Sequence, residues 1–334
     1  MLLPGRSDVE PSKVDLSVNL TPNIRLTLPL VSSPMDTVTE ADMAIALARQ
    51  GGIGIIHRNM SIEEQVENAK RVKRAESFII RDVVTITPSQ KVSEAFDLME
   101  KKSISGLPVV EEGERLIGIL TRRDVNFADK GDLVRSVMTS DVKVAGPEVT
   151  IDEAKQIMHK HRVEKLPVVD ANKKLLGLIT IKDVYSRERY SLASRDKEGR
   201  LLVGAAVSPY DLQRAKALEK YVDVLVSDVA HFHNVNILEA AMKMTREVGT
   251  DFIAGNIGTS EATRDTISAL DGRLSGIRAG VGSGSICVTS EVTKAGAPTL
   301  FAVAQIAQAL DGTGLRICCL KKLQRMASSG SMLC

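Results

Sequence analysis

The sequence predicts an α/β protein: a (β/α)8 TIM barrel, incomplete at both ends, that carries an inserted α+β module. Three observations lead there. Runs rich in Val, Ile and Leu recur without strict alternation, which suits parallel strands buried on both faces. Segments with helix-start signals fall between those runs. The middle of the chain repeats itself at a constant offset of 59 residues and so departs from the flanking rhythm.

Taken in order, the strand candidates are 28–32, 52–57, 201–207, 222–227, 251–256, 276–281 and 315–319. A helix over 39–49 ends at Gly51-Gly52, and Ser61 with Glu64 forms a capping box for the next helix. Ser208-Pro209 reads as an N-cap followed by proline at the first helical position. Seven strands and a partial eighth at 331–333 favour a barrel over an open doubly wound sheet.

In the duplicated region, Gly106-Leu-Pro-Val-Val110 recurs as Lys165-Leu-Pro-Val-Val169, and Leu116-Ile-Gly-Ile-Leu-Thr121 as Leu175-Leu-Gly-Leu-Ile-Thr180. Asp124-Val125 recurs as Asp183-Val184, and Pro88, Ala95 and Met99 map onto Pro147, Ala154 and Met158 without a gap. Each copy reads as strand, helix, strand, strand, helix, with helices over 92–101 and 151–159 and polar turns at 111–115 and 170–174. Thr150 and Glu153 make a second capping box. The module spans 77–186, its copies 77–127 and 138–186, and two copies packing face to face would make it compact. Barrel segments 1–76 and 187–334 flank it. The pattern resembles a pair of CBS domains.

At 334 residues the chain exceeds one ordinary domain. Its 43% hydrophobic and 26% charged content suits a soluble protein with a sizeable core. The formal net charge of +2 gives no global field for nucleic acid or membrane. The basic stretch 70–74 reads as a solvated helix face rather than a nucleic-acid site. Cys287, Cys318, Cys319 and Cys334 lack metal-ligand spacing, which suits a reducing cytoplasm. The N-terminus lacks a signal-peptide pattern, and no apolar run reaches the ~20 residues of a membrane span. The expected location is the cytoplasm.

The strongest chemical signal is Gly282-Ser-Gly-Ser-Ile-Cys-Val-Thr289. Gly282 and Gly284 permit close backbone approach to an anion or ion, and Ser285 offers a hydroxyl and an N–H to phosphate. Cys287 follows as a candidate nucleophile, its thiolate favoured by glycine-rich amides, and Thr289 lies within reach of the same substrate. In a barrel, chemistry gathers at the C-terminal ends of strands. Ser33 and Met35 fall there after the first strand, Asp228 after the fourth, Asn256 after the fifth, and the 282–289 loop after the sixth. Simpler readings stay open. The loop is otherwise a turn with an incidental buried thiol, Asp228 a helix cap, and Asn256 plain turn chemistry. His231 and His233 resemble a metal pair only weakly, with no third ligand in view.

These residues, with Val31-Ser-Ser-Pro-Met-Asp-Thr-Val-Thr-Glu40, Gly51-Gly-Ile-Gly54, Ala230-His231 and Gly255-Asn256, resemble the inosine-5′-monophosphate (IMP) dehydrogenases. The inserted CBS pair is that family's usual arrangement, whereas the sister GMP reductases usually lack it. The resemblance implies that Cys287 attacks C2 of IMP, that hydride passes to NAD+, and that water releases XMP, placing the chain in guanine nucleotide synthesis. It implies Ser285 and Ser33 on the 5′-phosphate, Met35 near the base, Asn256 and Arg278 near the nucleotide, and Thr289 beside the reacting ring. Asp228 would hold the nicotinamide ribose. Backbone carbonyls of Gly282, Gly284 and Cys287 would hold potassium. The CBS pair would bind adenine or guanine nucleotides through Thr121, Asp124, Thr180 and Asp183. A homotetramer is the family's usual assembly.

The sequence also departs from that pattern. Phe232 stands where the family's cofactor loop usually has glycine. Leu320-Lys-Lys follows Cys319 where the family continues with Asp-Gly-Gly, and the mobile flap that activates water has no counterpart. These departures lead to the expectation of hydride transfer at best. Two further readings follow: a regulatory protein acting through its nucleotide-binding module, and a fragment of a longer enzyme.

Overall fold

The computed structural model describes residues 6, 8–75, 79–81, 83–282 and 292–318. They form two compact units, divided at 75/76 and 191/192. The chain opens on a short antiparallel hairpin, β1 (Val18–Asn19) and β2 (Arg25–Leu26), which the sequence pattern did not reveal. The strand expected at 28–32 is reduced to one parallel bridge, Val31 to Ile53. Helix α1 (Ala41–Arg49), strand β3 (Gly54–Ile56) and helix α2 (Ile62–Arg74) follow, and Ser61 and Glu64 close the expected capping box on α2.

The middle unit holds α3 (Val92–Lys102), β4 (Gly106–Glu111), β5 (Arg115–Thr121), α4 (Arg122–Phe127) and α5 (Val134–Val137), then α6 (Ile151–His161), β6 (Lys165–Val169), β7 (Leu175–Thr180) and α7 (Ile181–Arg189). Its duplication is reproduced residue by residue. β4 pairs antiparallel with β5 from Gly106↔Thr121 and slips register at Val109/Val110; β6 pairs with β7 from Lys165↔Thr180 and slips at Val168/Val169. Two separate cores use matching residues: Ala95, Met99, Leu107, Val109 and Leu120 in one, Ala154, Met158, Leu166, Val168 and Ile179 in the other. The copies also exchange their leading segments. Ile80 bridges to Leu178 of the second copy, and Thr139 bridges to Ile119 of the first. Glycine makes each crossing possible. A Cβ on Gly118 would lie 2.6 Å from Met138 Sδ, and one on Gly177 would lie 2.3 Å from Ile79 Cγ2.

After Leu192 the βα alternation resumes with β8 (Val203–Val207), α8 (Leu212–Leu218), β9 (Val224–Ser227), α9 (Val235–Glu247), β10 (Asp251–Ile257), α10 (Ser260–Leu270), β11 (Gly276–Ala279), α11 (Thr299–Leu310) and β12 (Arg316–Cys318). The sheet is parallel in the order β3-β8-β9-β10-β11-β12, so it follows the chain. Both faces are buried, as the Val/Ile/Leu-rich runs predict. Ile53, Ile55, Ala206, Val226 and Ile253 pack with Leu20, Ile24 and Leu26 of the hairpin. Ile56, Val203, Val207, Leu225, Phe252 and Ala254 face the helices. Each of the buried Val, Ile, Leu and Phe side chains contributes about 1.5–3 kcal/mol by leaving water, which makes the doubly buried sheet a major stabilising element.

Two expectations are corrected. Ser208-Pro209 does not cap α8: Asp211 does, accepting from the Arg214 N–H at 3.0 Å, while Ser208 O receives the Asp211 N–H and forms the preceding turn. The basic stretch 70–74 is not uniformly solvated. Lys73 turns inward, its side chain 9% exposed, to Asp196 at 2.9 Å and Asp223 at 2.7 Å. It serves those two carboxylates unequally. Burial pushes Asp196 up, but Lys73, with Arg200 as a second cation, brings it below its ordinary value. Asp223, which has no second cation among the described residues, is pushed up by burial. The eighth strand expected at 331–333 lies outside the described residues. Among the described residues no helix is long and apolar enough to cross a membrane.

Candidate functional site

The parallel sheet brings two of the predicted residues, Asp228 and Arg278, together at the C-terminal ends of its strands. Arg278, in β11, anchors the pair. Its Nη1 donates to the carbonyl of Ser227 at 3.1 Å and lies 3.3 Å from Asp228 Oδ1. The other carboxylate oxygen of Asp228 sits 3.4 Å from Nε of Arg58, which follows β3. One carboxylate therefore lies between two guanidinium groups, the three side chains coming from three strand ends. Gly255 of β10 permits this crowding, since a Cβ there would meet Arg278 Cβ at 2.5 Å and its carbonyl at 2.7 Å.

Asn256 lies within β10 rather than in a turn; its carbonyl accepts from the Phe232 N–H at 2.9 Å. Asp228 is not a helix cap, because Asn234 caps α9. Phe232 is fully buried, its ring 6.4 Å from that of Phe252, so the bulky residue fills the layer between sheet and helices. His233 bonds Asp265 of α10 at 2.8 Å while His231 is exposed. The described residues contain no group of three or more potential metal-ligating side chains.

Two hydroxyls at the rim stand out. The Oγ atoms of Ser33 and Ser227 are buried and have no hydrogen-bond partner among the described residues. Leaving such a group unpaired costs about 1–3 kcal/mol, a cost a bound ligand removes. The Ser33 carbonyl accepts from Thr39 Oγ1 at 2.7 Å, which fixes the turn that carries Met35. His57, buried after β3, accepts the Asn59 N–H on Nδ1 at 3.1 Å and holds Nε2 3.6 Å from Glu40 and 3.7 Å from Asp36.

Sequence reasoning missed four residues here: His57, Arg58, Gln65 and Arg214. Buried Gln65 donates to the Ala206 carbonyl at 2.9 Å and accepts from Arg214 Nη1 at 2.8 Å, while Arg214 Nη2 donates to the Met60 carbonyl at 3.0 Å. This network ties the loop after β3 to α8. The available signal was position alone, since His57 ends a predicted strand and Arg58 directly follows it.

Ser285, Cys287, Thr289 and Gly284 lie outside the described residues. Gly282 has φ +67°, and Ala297 donates to the Val281 carbonyl at 2.8 Å. In the middle unit, the Thr121 N–H and hydroxyl both bond Asp124 Oδ2 at 2.7 Å. The Thr180 N–H and hydroxyl bond Asp183 Oδ2 at 3.1 and 2.5 Å. Both pairs sit where a hairpin strand enters a helix.

Comparison with known proteins agrees with this architecture. The profile of the IMP dehydrogenase / GMP reductase domain matches residues 1–320. The chain is 57% identical over 311 residues to an inosine-5′-monophosphate dehydrogenase of Korarchaeum cryptofilum, covering 93% of this chain and 64% of the relative. It is 48% identical to that of Thermoplasma acidophilum, covering 95% and 65%. The chain thus spans a little under two thirds of the length of these curated relatives. Among solved structures, a GMP reductase of Trypanosoma brucei in complex with guanosine 5′-triphosphate aligns with TM-score 0.83 and 38% identity, covering 94% of this chain and 77% of that one. A variant of that reductase with guanosine 5′-monophosphate also gives TM-score 0.83. The chain belongs to the IMP dehydrogenase / GMP reductase family.

Proposed function

We propose that this protein is an NAD-dependent IMP dehydrogenase that oxidises IMP to XMP. The observation that carries this reading is the rim cluster: a carboxylate fit for a ribose diol, held between two guanidinium groups beside the buried Ser227 hydroxyl. Ser33 and Ser285 hold the 5′-phosphate, Met35 packs near the base, and Asp228 receives the nicotinamide ribose. The Cys287 thiolate adds to C2 of IMP, and C2 loses hydride to NAD+. Water then displaces the sulfur, so that IMP, NAD+ and water become XMP, NADH and a proton. Thr289 lies beside the reacting ring. Potassium, held by carbonyls of Gly282, Gly284 and Cys287, would neutralise charge in that loop; the positive φ of Gly282 suits such an approach.

The sheet that follows the chain order closes into a (β/α)8 barrel, and the duplicated unit is a CBS pair. Thr121 and Asp124, with Thr180 and Asp183, bind adenine or guanine nucleotides there. The assembly is a homo-oligomer, a tetramer by resemblance, working in the cytoplasm. GMP reductase is the second reading, supported by the reductases among the solved structures at 38% identity. The dehydrogenases at 57% and 48% weigh against it.

Supplying the protein with IMP and NAD+, or with GMP and NADPH, and separating the products decides between the two. XMP from the first pair supports the dehydrogenase. IMP from the second supports the reductase.

A further inference from the structure

We infer that Arg58 is a cofactor-binding residue, parked on Asp228 in the free protein and released to the pyrophosphate of the dinucleotide when a ribose diol takes that carboxylate. The inference rests on the assignment of Asp228 to the nicotinamide ribose. Three observations support it.

The two arginines on Asp228 are held differently. Arg278 is 13% exposed and fixed by a second bond to the Ser227 carbonyl, whereas Arg58 is 42% exposed and Asp228 30%. A long contact between partly solvated groups contributes little net stability, so a ligand can replace the Arg58 contact without displacing Arg278. The backbone at Arg58 is nonetheless fixed. His57 N donates to the Thr39 carbonyl and Asn59 N to His57 Nδ1, so only the side chain needs to move.

The charge balance points the same way. Two guanidinium groups surround one carboxylate, leaving one positive charge uncompensated within this cluster. In a dinucleotide, the diol and the pyrophosphate are attached to the same ribose ring. A cation beside the carboxylate that binds the diol is therefore one sugar away from the phosphates. Arginine is suited to that transfer because its planar fork matches carboxylate and phosphate oxygens equally.

The test is calorimetric titration, in a Cys287→Ala background that cannot transfer hydride, of Arg58, Arg58→Gln and Arg58→Lys with IMP, and with NAD+ in the presence of IMP, at low and moderate salt. Arg58→Gln should weaken NAD+ about ten- to a hundredfold, as loss of a hydrogen bond to a charged group does, and flatten its salt dependence. IMP affinity should stay unchanged, and Arg58→Lys should retain most of the NAD+ affinity. Unchanged NAD+ binding in Arg58→Gln, or equal loss for IMP and NAD+, would overturn the inference. NAD+ binding that survives Asp228→Asn at full strength would instead contradict the ribose assignment beneath it.

Discussion

In the parallel unit, the sheet meets helices on one face and the hairpin of β1 and β2 on the other, and every rim residue is unique. In the middle unit, nearly every core and cap residue has a twin 59 positions away, and the copies trade their leading segments. The difference separates two ways of making a site. The parallel sheet collects unlike residues from distant parts of the chain, so Arg58, Asp228 and Arg278 meet only because β3, β9 and β11 are alternate strands of one sheet. The duplication makes the same local device twice. Consequently each substitution in the middle unit has an internal control, and each in the rim has none.

The largest effect should come from breaking the ionic joint of the parallel unit. Lys73→Met strands two largely buried carboxylates and should cost about 3–5 kcal/mol in denaturant unfolding. The middle unit, which buries its own cores, should keep its own transition; a coincident shift of both would mean that the units unfold as one. Next come the twins. Leu107 and Leu166 are both fully buried, so Leu107→Ala and Leu166→Ala should each cost about 2–5 kcal/mol, and by similar amounts. Unequal losses would show that the copies have diverged in packing.

Smaller effects sharpen the comparison. Asp124→Ala and Asp183→Ala each remove the acceptor at a helix entrance, at about 1 kcal/mol apiece. Each should also weaken ATP or GTP binding to the middle unit, read by calorimetry. The smallest expected effect concerns pH. Asp196 titrates below its ordinary value in the folded protein, so its contribution is present above the unfolded value of about 3.9 and lost as pH falls through the folded one. Asp196→Asn should therefore lower stability at neutral pH and make the acid limb below about pH 4 shallower. An unchanged acid limb would assign that loss to other carboxylates.

Much of this architecture was legible in the sequence, for identifiable reasons. The 59-residue repeat exposed the middle unit because matching residues fill matching core positions. Continuous apolar runs exposed β8, β9 and β10 to within two residues at each end. Other features were hidden. The hairpin at Val18–Asn19 and Arg25–Leu26 is too short for a periodic signal. Ser208-Pro209 looked like a cap because local capping chemistry was present, but the turn there passes the role to Asp211. Lys73 looked solvated because its two acidic partners lie more than 120 residues away. Arg58 escaped for the same reason: Asp228 becomes its neighbour only through the sheet. Phe232, a departure on paper, is a core residue in the fold.

The central claim is that the rim of the parallel unit carries out redox chemistry through Cys287. Mixing stoichiometric protein with IMP, NAD+ and potassium while following NADH absorbance tests it most directly, with Cys287→Ala beside it. The account predicts NADH from the wild type and none from Cys287→Ala. Absence of NADH from the wild type, or equal NADH from both proteins, would contradict it.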